Sequence, residues 1–467
     1  MNDAYDFMVI GGGSAGYASA TTAARLGLKT AVIEGADEVG GLCILRGCMP
    51  SKTLLESAHR AEAIRGAGEF GLRAEYLGAD ASAIRARKRR LIGEFADYRR
   101  EQLEDGRFDF IRGRAEFVDA QHVEVRLRDG GLRRLHGRAF LIATGSVIQR
   151  VAIPGLAETG YVTSDEVLDA DRIPASVIVL GGGAIALELA SFYAGVGSKV
   201  TIVQRGRQLL TGTDDDVAEA VTAGLEHRGI EIFRDTELLR ATSADGRKRI
   251  EFKYGGQERA VEAEEILCAF GRKPNLTSLA LDRAGVATGK SGIVVNPSQQ
   301  AQPGHIFAAG DVCGPHEIVH IAVQQGELAA RNAARILGKL AGPLEKMDYA
   351  LKLFAVFTQP EVAVVGMTER EAALLRYDFL AARYAFADHG KALVRGQPHG
   401  FVKLIASRDT RRILGAACVG PEASELIHEI VVAMSFGATA GALSRIPHYH
   451  PTLSEIWTYP AEELAAD

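Results

Sequence analysis

A glycine pattern occurs twice in this chain, each time with the same spacing to the end of the next apolar run, and this repeat constrains the fold more than any other feature. The first copy is Gly11-Gly12-Gly13-Ser14-Ala15-Gly16. It comes after the apolar run Phe7-Met8-Val9-Ile10 and opens an Ala-rich stretch, Gly16 to Leu26, after which Lys29-Thr30-Ala31-Val32-Ile33 ends at Glu34. The second copy, Gly181-Gly182-Gly183-Ala184-Ile185-Ala186, comes after Val177-Ile178-Val179-Leu180 and leads to Lys199-Val200-Thr201-Ile202-Val203. Gly11 to Glu34 spans 23 positions, and Gly181 to Gln204 spans 23 again. Strand, glycine turn, helix and second strand, in that order, make the context in which such glycines bind a dinucleotide. The glycines let the backbone approach a pyrophosphate, the helix N-terminus favours its charge, and Glu34 is placed to take ribose hydroxyls. Tight strand–helix turns without a ligand are the plainer reading. Two copies in register argue instead for two Rossmann-type units and two dinucleotides.

At 467 residues the chain exceeds one ordinary core, so two to four domains are expected. A net charge of -5 gives no reason to expect nucleic acid or an anionic membrane as partner. Val177 to Val196 is apolar enough to resemble a membrane span, but Gly181-Gly182-Gly183 and Glu188 favour strand, turn and helix. Met1-Asn2-Asp3-Ala4-Tyr5-Asp6 lacks the basic start of a signal peptide, so a cytoplasmic location is expected. Five cysteines are too few for a disulfide-stapled fold.

Two of them, Cys43 and Cys48, stand in a glycine-flanked loop, Gly40-Gly41-Leu42-Cys43-Ile44-Leu45-Arg46-Gly47-Cys48-Met49-Pro50-Ser51-Lys52, just after the first unit begins. Pro50 suits a first helical turn, which predicts Cys48 at a helix N-terminus, where the dipole stabilises a thiolate. Lys52 adds a positive charge one turn on. The pair could also be inert and buried; a zinc site lacks a second nearby Cys or His pair. Cys268, Cys313 and Cys418 read as core residues. Near the C-terminus stands His448-Tyr449-His450-Pro451-Thr452-Leu453-Ser454-Glu455. An imidazole suits proton transfer near neutral pH, and a carboxylate can orient it. His448 reads as structural. The run Arg85 to Arg90 reads as a solvated helix face, with a docking patch for an acidic carrier as the alternative.

Together with Leu141-Ile142-Ala143-Thr144-Gly145-Ser146 and Ile306-Phe307-Ala308-Ala309-Gly310-Asp311, these motifs resemble the FAD-dependent pyridine nucleotide–disulfide oxidoreductases. That family includes dihydrolipoamide dehydrogenase, glutathione reductase and mercuric reductase. The resemblance implies an α/β chain of two Rossmann-like, three-layer ββα nucleotide-binding domains and a C-terminal α+β interface domain. It implies an FAD domain over 1–150, an NAD(P) domain over 151–274, a return to the FAD domain over 275–346 near Gly271-Arg272-Lys273-Pro274-Asn275, and the interface domain over 347–467. Phe357-Thr358-Gln359-Pro360-Glu361 resembles the opening strand of the last.

The resemblance assigns FAD to Gly11, Gly13, Ser14, Ala15, Gly16 and Glu34. It adds Gly41, Ala115, Thr144 and Gly145, with Asp311 at the ribityl chain and Cys43 and Lys52 also touching cofactor. It assigns NAD(P)H to Gly181, Gly183, Ala184, Ile185, Gln204 and Arg205, and Gly271 to cofactor binding; no metal is implied. Cys48 would face the flavin and Cys43 the substrate. Glu188 would pair with Lys52 beside the nicotinamide. His450, held by Glu455, would serve the disulfide of a partner subunit, making the enzyme a homodimer.

Gln204 stands where NAD sites place a carboxylate, Arg205 and Arg207 come next, and Ala186 replaces the third glycine; NADPH is expected to be preferred, or both nucleotides accepted. Thr211 stands where the NADPH enzymes tend to carry a second arginine. Leu42 replaces the usual Thr, and Leu45-Arg46 replaces the common Asn-Val of the lipoamide enzymes. Thr21 and Thr22 occupy positions where mammalian glutathione reductases carry arginines for the peptide carboxylate. Pro50-Ser51-Lys52 and Pro451 to Glu455 lean towards the lipoamide branch. The expected substrate is a small or carrier-bound dithiol. Glutathione reductase-like and mercuric reductase-like NADPH enzymes remain alternatives, as does a redox-dead flavoprotein subunit.

Overall fold

A computed structural model describes residues 3–466. The chain forms two compact units, each assembled from three segments. One comprises 1–50, 86–149 and 272–348; the other comprises 51–85, 150–271 and 349–467.

The first unit is built on a six-stranded sheet. Strand Ala4–Ile10 pairs in parallel with Thr30–Glu34 on one side and Leu132–Ile142 on the other, and Ile306–Ala308 extends the sheet in parallel beyond Leu132–Ile142. Alternate residues of Ala4–Ile10 face opposite ways, and both faces are covered. Phe7 and Val9 pack with Ala20, Leu141 and Ala329 on the helical face; Met8 and Ile10 pack with Ile33, Phe117 and Val123 on the other. Helix Ser14–Arg25 lies against helix Val319–Ile336. They approach so closely that a Cβ on Gly326 would come within 2.3 Å of the Ala15 carbonyl oxygen. Asp109–Asp119 and Leu132–Ile142 outrun the parallel sheet, and His122–Leu127 joins their far ends as an antiparallel meander. The result is the helix–sheet–meander layering expected from the sequence.

In the second unit, Ser176–Leu180 pairs in parallel with Lys199–Val203 and with Glu265–Cys268. Helix Ala184–Val196 connects the first two, so the apolar stretch from 177 to 196 is a strand, a turn and a helix. No described helix is long and apolar enough to cross a membrane. A three-stranded antiparallel sheet spans 237–263. The C-terminal part is a five-stranded antiparallel sheet running Leu353–Val356, Glu361–Gly366, Ile413–Gly420, Phe401–Ser407, Phe379–Ala385, with helix Ala423–Ser435 packed on it.

One expectation fails here. Phe357 to Pro360 is the turn between the first two strands of the C-terminal sheet rather than its opening strand, because Pro360 has no N–H to donate to a ladder. The basic run Arg85 to Arg90 is solvated at Arg87, Arg89 and Arg90, while Lys88 is buried and Arg85 reaches Asp169 and Asp171.

Candidate active site

The two glycine turns are the same object down to single backbone contacts. Gly11 has φ +110°, and a Cβ there would lie 2.4 Å from the Ala143 carbonyl oxygen; Gly181 has φ +129°, and a Cβ would lie 2.4 Å from the Ala269 carbonyl oxygen. Only glycine fits such positions. Gly11 N–H donates to Ile33 at 2.8 Å, and Gly181 N–H donates to Val203 at 3.1 Å. The residue ending the second strand lies under the turn in both. Glu34 accepts from Gly12 N–H at 2.8 Å and Ala36 N–H at 2.8 Å, while the Gln204 amide group touches Gly182 and donates to the Gln208 carbonyl at 3.4 Å. Helices Ser14–Arg25 and Ala184–Val196 start directly after these turns, with no side chain capping either N-terminus. Both ends keep unsatisfied N–H groups suited to an anion.

Cys43 lies on a one-turn helix, Gly41–Leu45, where the sequence suggests a loop. Gly41 packs against the first glycine turn: a Cβ there would lie 2.6 Å from the Gly13 Cα. Cys48 is the first residue of helix Cys48–Gly66, with Pro50 in its first turn as expected. Both cysteines are half-buried. The other three are different in kind. Burial pushes the thiols of Cys268 and Cys313 up to about 12 and that of Cys418 well above its usual value, so they stay protonated.

Asp311 comes after the strand Ile306–Ala308 in a turn of 3-10 helix, Gly310–Val312. Ser146 donates to its carboxylate at 2.7 Å, and the Arg272 guanidinium holds Ser146 through its hydroxyl at 2.9 Å and its carbonyl at 3.0 Å. Thr144 donates to the Asn275 carbonyl at 2.7 Å, and Asn275 N–H donates to the Gly145 carbonyl at 2.9 Å. Gln325, fully buried, accepts from Gly310 N–H at 2.7 Å and donates to the Gly314 carbonyl at 2.8 Å. Ser146 and Arg272 stand within quoted motifs and Gln325 in none, and the sequence singles out none of the three as a site residue; they matter through partners 126, 165 and 15 positions away. Glu317 sits near Asp311, and burial, reinforced by that charge, raises its carboxyl above the usual range.

In the second unit, Lys52 donates to both oxygens of Glu188 at 2.8 Å, and Phe357 N–H donates to the same carboxylate at 3.1 Å. Glu188 is 7% exposed and Lys52 31%. The Lys52 ammonium lies 4.5 Å from the centre of the Phe357 ring. His450 and Glu455 also meet: Nδ1 is 3.1 Å from Oε2. The His450 side chain is 80% exposed while Glu455 is 13%, so the carboxylate backs a ring that faces outward. His448 is held by Glu429 at 2.7 Å and by the Ile446 carbonyl at 2.9 Å, a structural histidine. Arg205 is exposed and has no ion-pair partner among the described residues, whereas Arg207 lies 3.4 Å from Asp235. Asp214, Asp216 and Glu369 converge as metal ligands do, but the Lys403 ammonium fills their centre at 2.9, 2.7 and 2.8 Å.

The model of the pyridine nucleotide-disulphide oxidoreductase family matches residues 5–326, and that of its dimerisation domain matches residues 354–461. The chain belongs to this family. It is 34% identical to a mercuric reductase of Bacillus cereus over 97% of this chain and 70% of that protein. It is 32% identical to a dihydrolipoyl dehydrogenase of Chlamydia trachomatis over 99% and 97%. Among solved structures it is similar to the HOCl-induced flavoprotein disulfide reductase RclA of Escherichia coli, in its Cu(II) complex, with TM-score 0.85 and 27% identity over 99% of this chain and 100% of that one. Members of the family use FAD and NAD(P)H. The cradle around Gly11, Gly16 and Gly41 fits the flavin dinucleotide, since none of the three has room for a side chain and Glu34 lies beside them.

Proposed function

We propose that this family member passes electrons between NAD(P)H and a small or carrier-bound disulfide through Cys43 and Cys48, in the manner of dihydrolipoamide dehydrogenase. The observation that carries it is the seating of the thiol segment: Gly41 packs on the dinucleotide turn, and Cys48 begins a 19-residue helix. A thiol there is stabilised as thiolate by the N–H groups of the first turn.

FAD, when bound, supplies two-electron exchange between the nicotinamide and the thiol pair. The chain's own residues do the rest. The Cys43 thiolate attacks one sulfur of the substrate disulfide, forming a mixed disulfide and releasing a thiolate. The Cys48 thiolate then attacks the Cys43 sulfur, forming the internal disulfide and releasing the second thiolate. His450 gives the first leaving thiolate a proton, takes up another from solvent and gives it to the second, and Glu455 stabilises the imidazolium. Run backwards, the same ring takes protons from a dithiol.

His450 acts on the thiol pair of a second copy in this reading. Its ring faces outward, and the same C-terminal part exposes the apolar side chains Val432, Phe436, Ile446 and Tyr449, surface that a homodimer would cover. NADPH is the preferred nucleotide: Gln204 is neutral, and Arg205 is available to a 2′-phosphate. Likeness to mercuric reductase favours metal-ion reduction at the same thiols as a second reading. A turnover panel of lipoamide, glutathione disulfide and Hg(II) with both nicotinamides tests both. Failure of every disulfide while Hg(II) is reduced would replace the first reading by the second.

A further inference from the structure

We propose that His389 is a positioning residue for the His450–Glu455 pair: its Nε2–H faces the second oxygen of Glu455 and sets how tightly that carboxylate holds a proton on His450. The proposal rests on the reading of His450 as the acid–base group.

One carboxylate bridges two imidazoles. Glu455 Oε2 is 3.1 Å from His450 Nδ1, and Glu455 Oε1 is 3.5 Å from His389 Nε2. The two rings have opposite surroundings. His450 is 80% exposed; the His389 side chain is fully buried. Phe386 and Tyr459 stand edge-on to the His389 ring, with centroids 6.4 and 6.3 Å away. Both nitrogens of His389 are buried and make no hydrogen bond among the described residues, so the approach to Glu455 is its one polar contact. A buried polar ring in that state costs free energy unless the contact is used.

The titratable groups around His389 are few. Glu455 faces it from the turn Ser454–Trp457, His450 from the segment before that turn, Tyr459 from helix Thr458–Ala465, and Asp388 precedes it in the chain. Tyr384 stacks on Tyr459 at 4.0 Å. Burial works against a charge on His389, Glu455 works for one and His450 against; the net effect lowers its pKa, so the ring is neutral. A neutral imidazole carries one N–H, and a carboxylate opposite Nε2 selects the tautomer with the proton there. The negative charge of Glu455 is then shared between two N–H groups. The field it exerts at His450 is then weaker than that of an unshared carboxylate.

The test is the pH dependence of kcat/KM for dithiol-driven NAD(P)⁺ reduction by the FAD-loaded enzyme. Its acid limb reports protonation of the base. His389→Phe should move that limb up by about half a pH unit, roughly threefold in rate on the limb. His389→Gln, whose amide N–H can take the place of Nε2–H, should keep the wild-type limb, a rescue that a purely space-filling role would not show. Should the Phe variant fail to fold with FAD, His389→Leu takes its place. A limb that does not move in the apolar variant, yet is lost in His450→Gln, overturns the role of His389 alone. A limb that survives His450→Gln overturns the reading of His450 itself, and this proposal with it.

Discussion

Lys52 and Glu188, 136 positions apart in the chain, close on each other through both carboxylate oxygens at 2.8 Å. The pair is asymmetric: Glu188 is almost wholly buried, while Lys52 keeps a third of its side chain in solvent. Removing the lysine strands a charge that has one other donor, Phe357 N–H at 3.1 Å. Removing the glutamate leaves an ammonium that water can reach. Lys52→Met should therefore destabilise by about 3–5 kcal/mol, and Glu188→Gln by about 1–2. Urea unfolding of both variants checks the order, and the reverse ranking would show that burial does not decide the energy of this pair.

The two halves of the reaction should separate by mutation. Cys48→Ser should retain FAD and lose disulfide turnover altogether. His450→Gln should lower turnover by about two to four orders of magnitude, the usual cost of losing a positioned base. Reduction of the flavin by nicotinamide, monitored by stopped-flow absorbance, should be nearly unchanged in His450→Gln. Equal loss in both half-reactions would remove His450 from the proton path.

Arg205 should report the 2′-phosphate. It is exposed and lacks an ion-pair partner among the described residues, while Asp235 partly neutralises Arg207. Arg205→Ala should lower kcat/KM for NADPH about tenfold, roughly 1.4 kcal/mol, and leave NADH unchanged. A wild-type preference for NADH of about a hundredfold would count directly against the assignment.

Stability should fall on the acid side of neutrality. Burial lowers the pKa of His59 below its usual 6.5, and His389 is lowered in the same way. An unfolded chain takes up these protons first, so unfolding gains free energy as pH falls through about 6.5, until the folded rings also titrate. Tm should drop between pH 7.5 and 5.5. The drop should be smaller in His59→Phe, whatever that variant's stability at pH 7.5. An identical slope would mean that His59 binds its proton equally well in the folded chain.

Much of this molecule is written locally. Gly11 and Gly181 announce themselves because a positive φ and a carbonyl at 2.4 Å exclude every side chain, so the residue type alone marks the turn. Apolar runs such as Phe7 to Ile10 mark strands buried on both faces, and Pro50 after Cys48 marks a helix start. These signals act over a few residues, where backbone sterics and periodicity operate, and the 23-residue register simply repeats them. Partnership is a different matter. That Arg272 holds Ser146 and Ser146 holds Asp311, that Lys403 fills an acidic cluster, and that Glu455 is shared between His450 and His389 depend on side chains brought together by packing. No local pattern encodes those distances. His389 shows the division most clearly: in the sequence it is one of twelve histidines with no motif around it. Only the folding of its segment against Glu455 and Tyr459 removes its water and brings its Nε2 to 3.5 Å from that carboxylate.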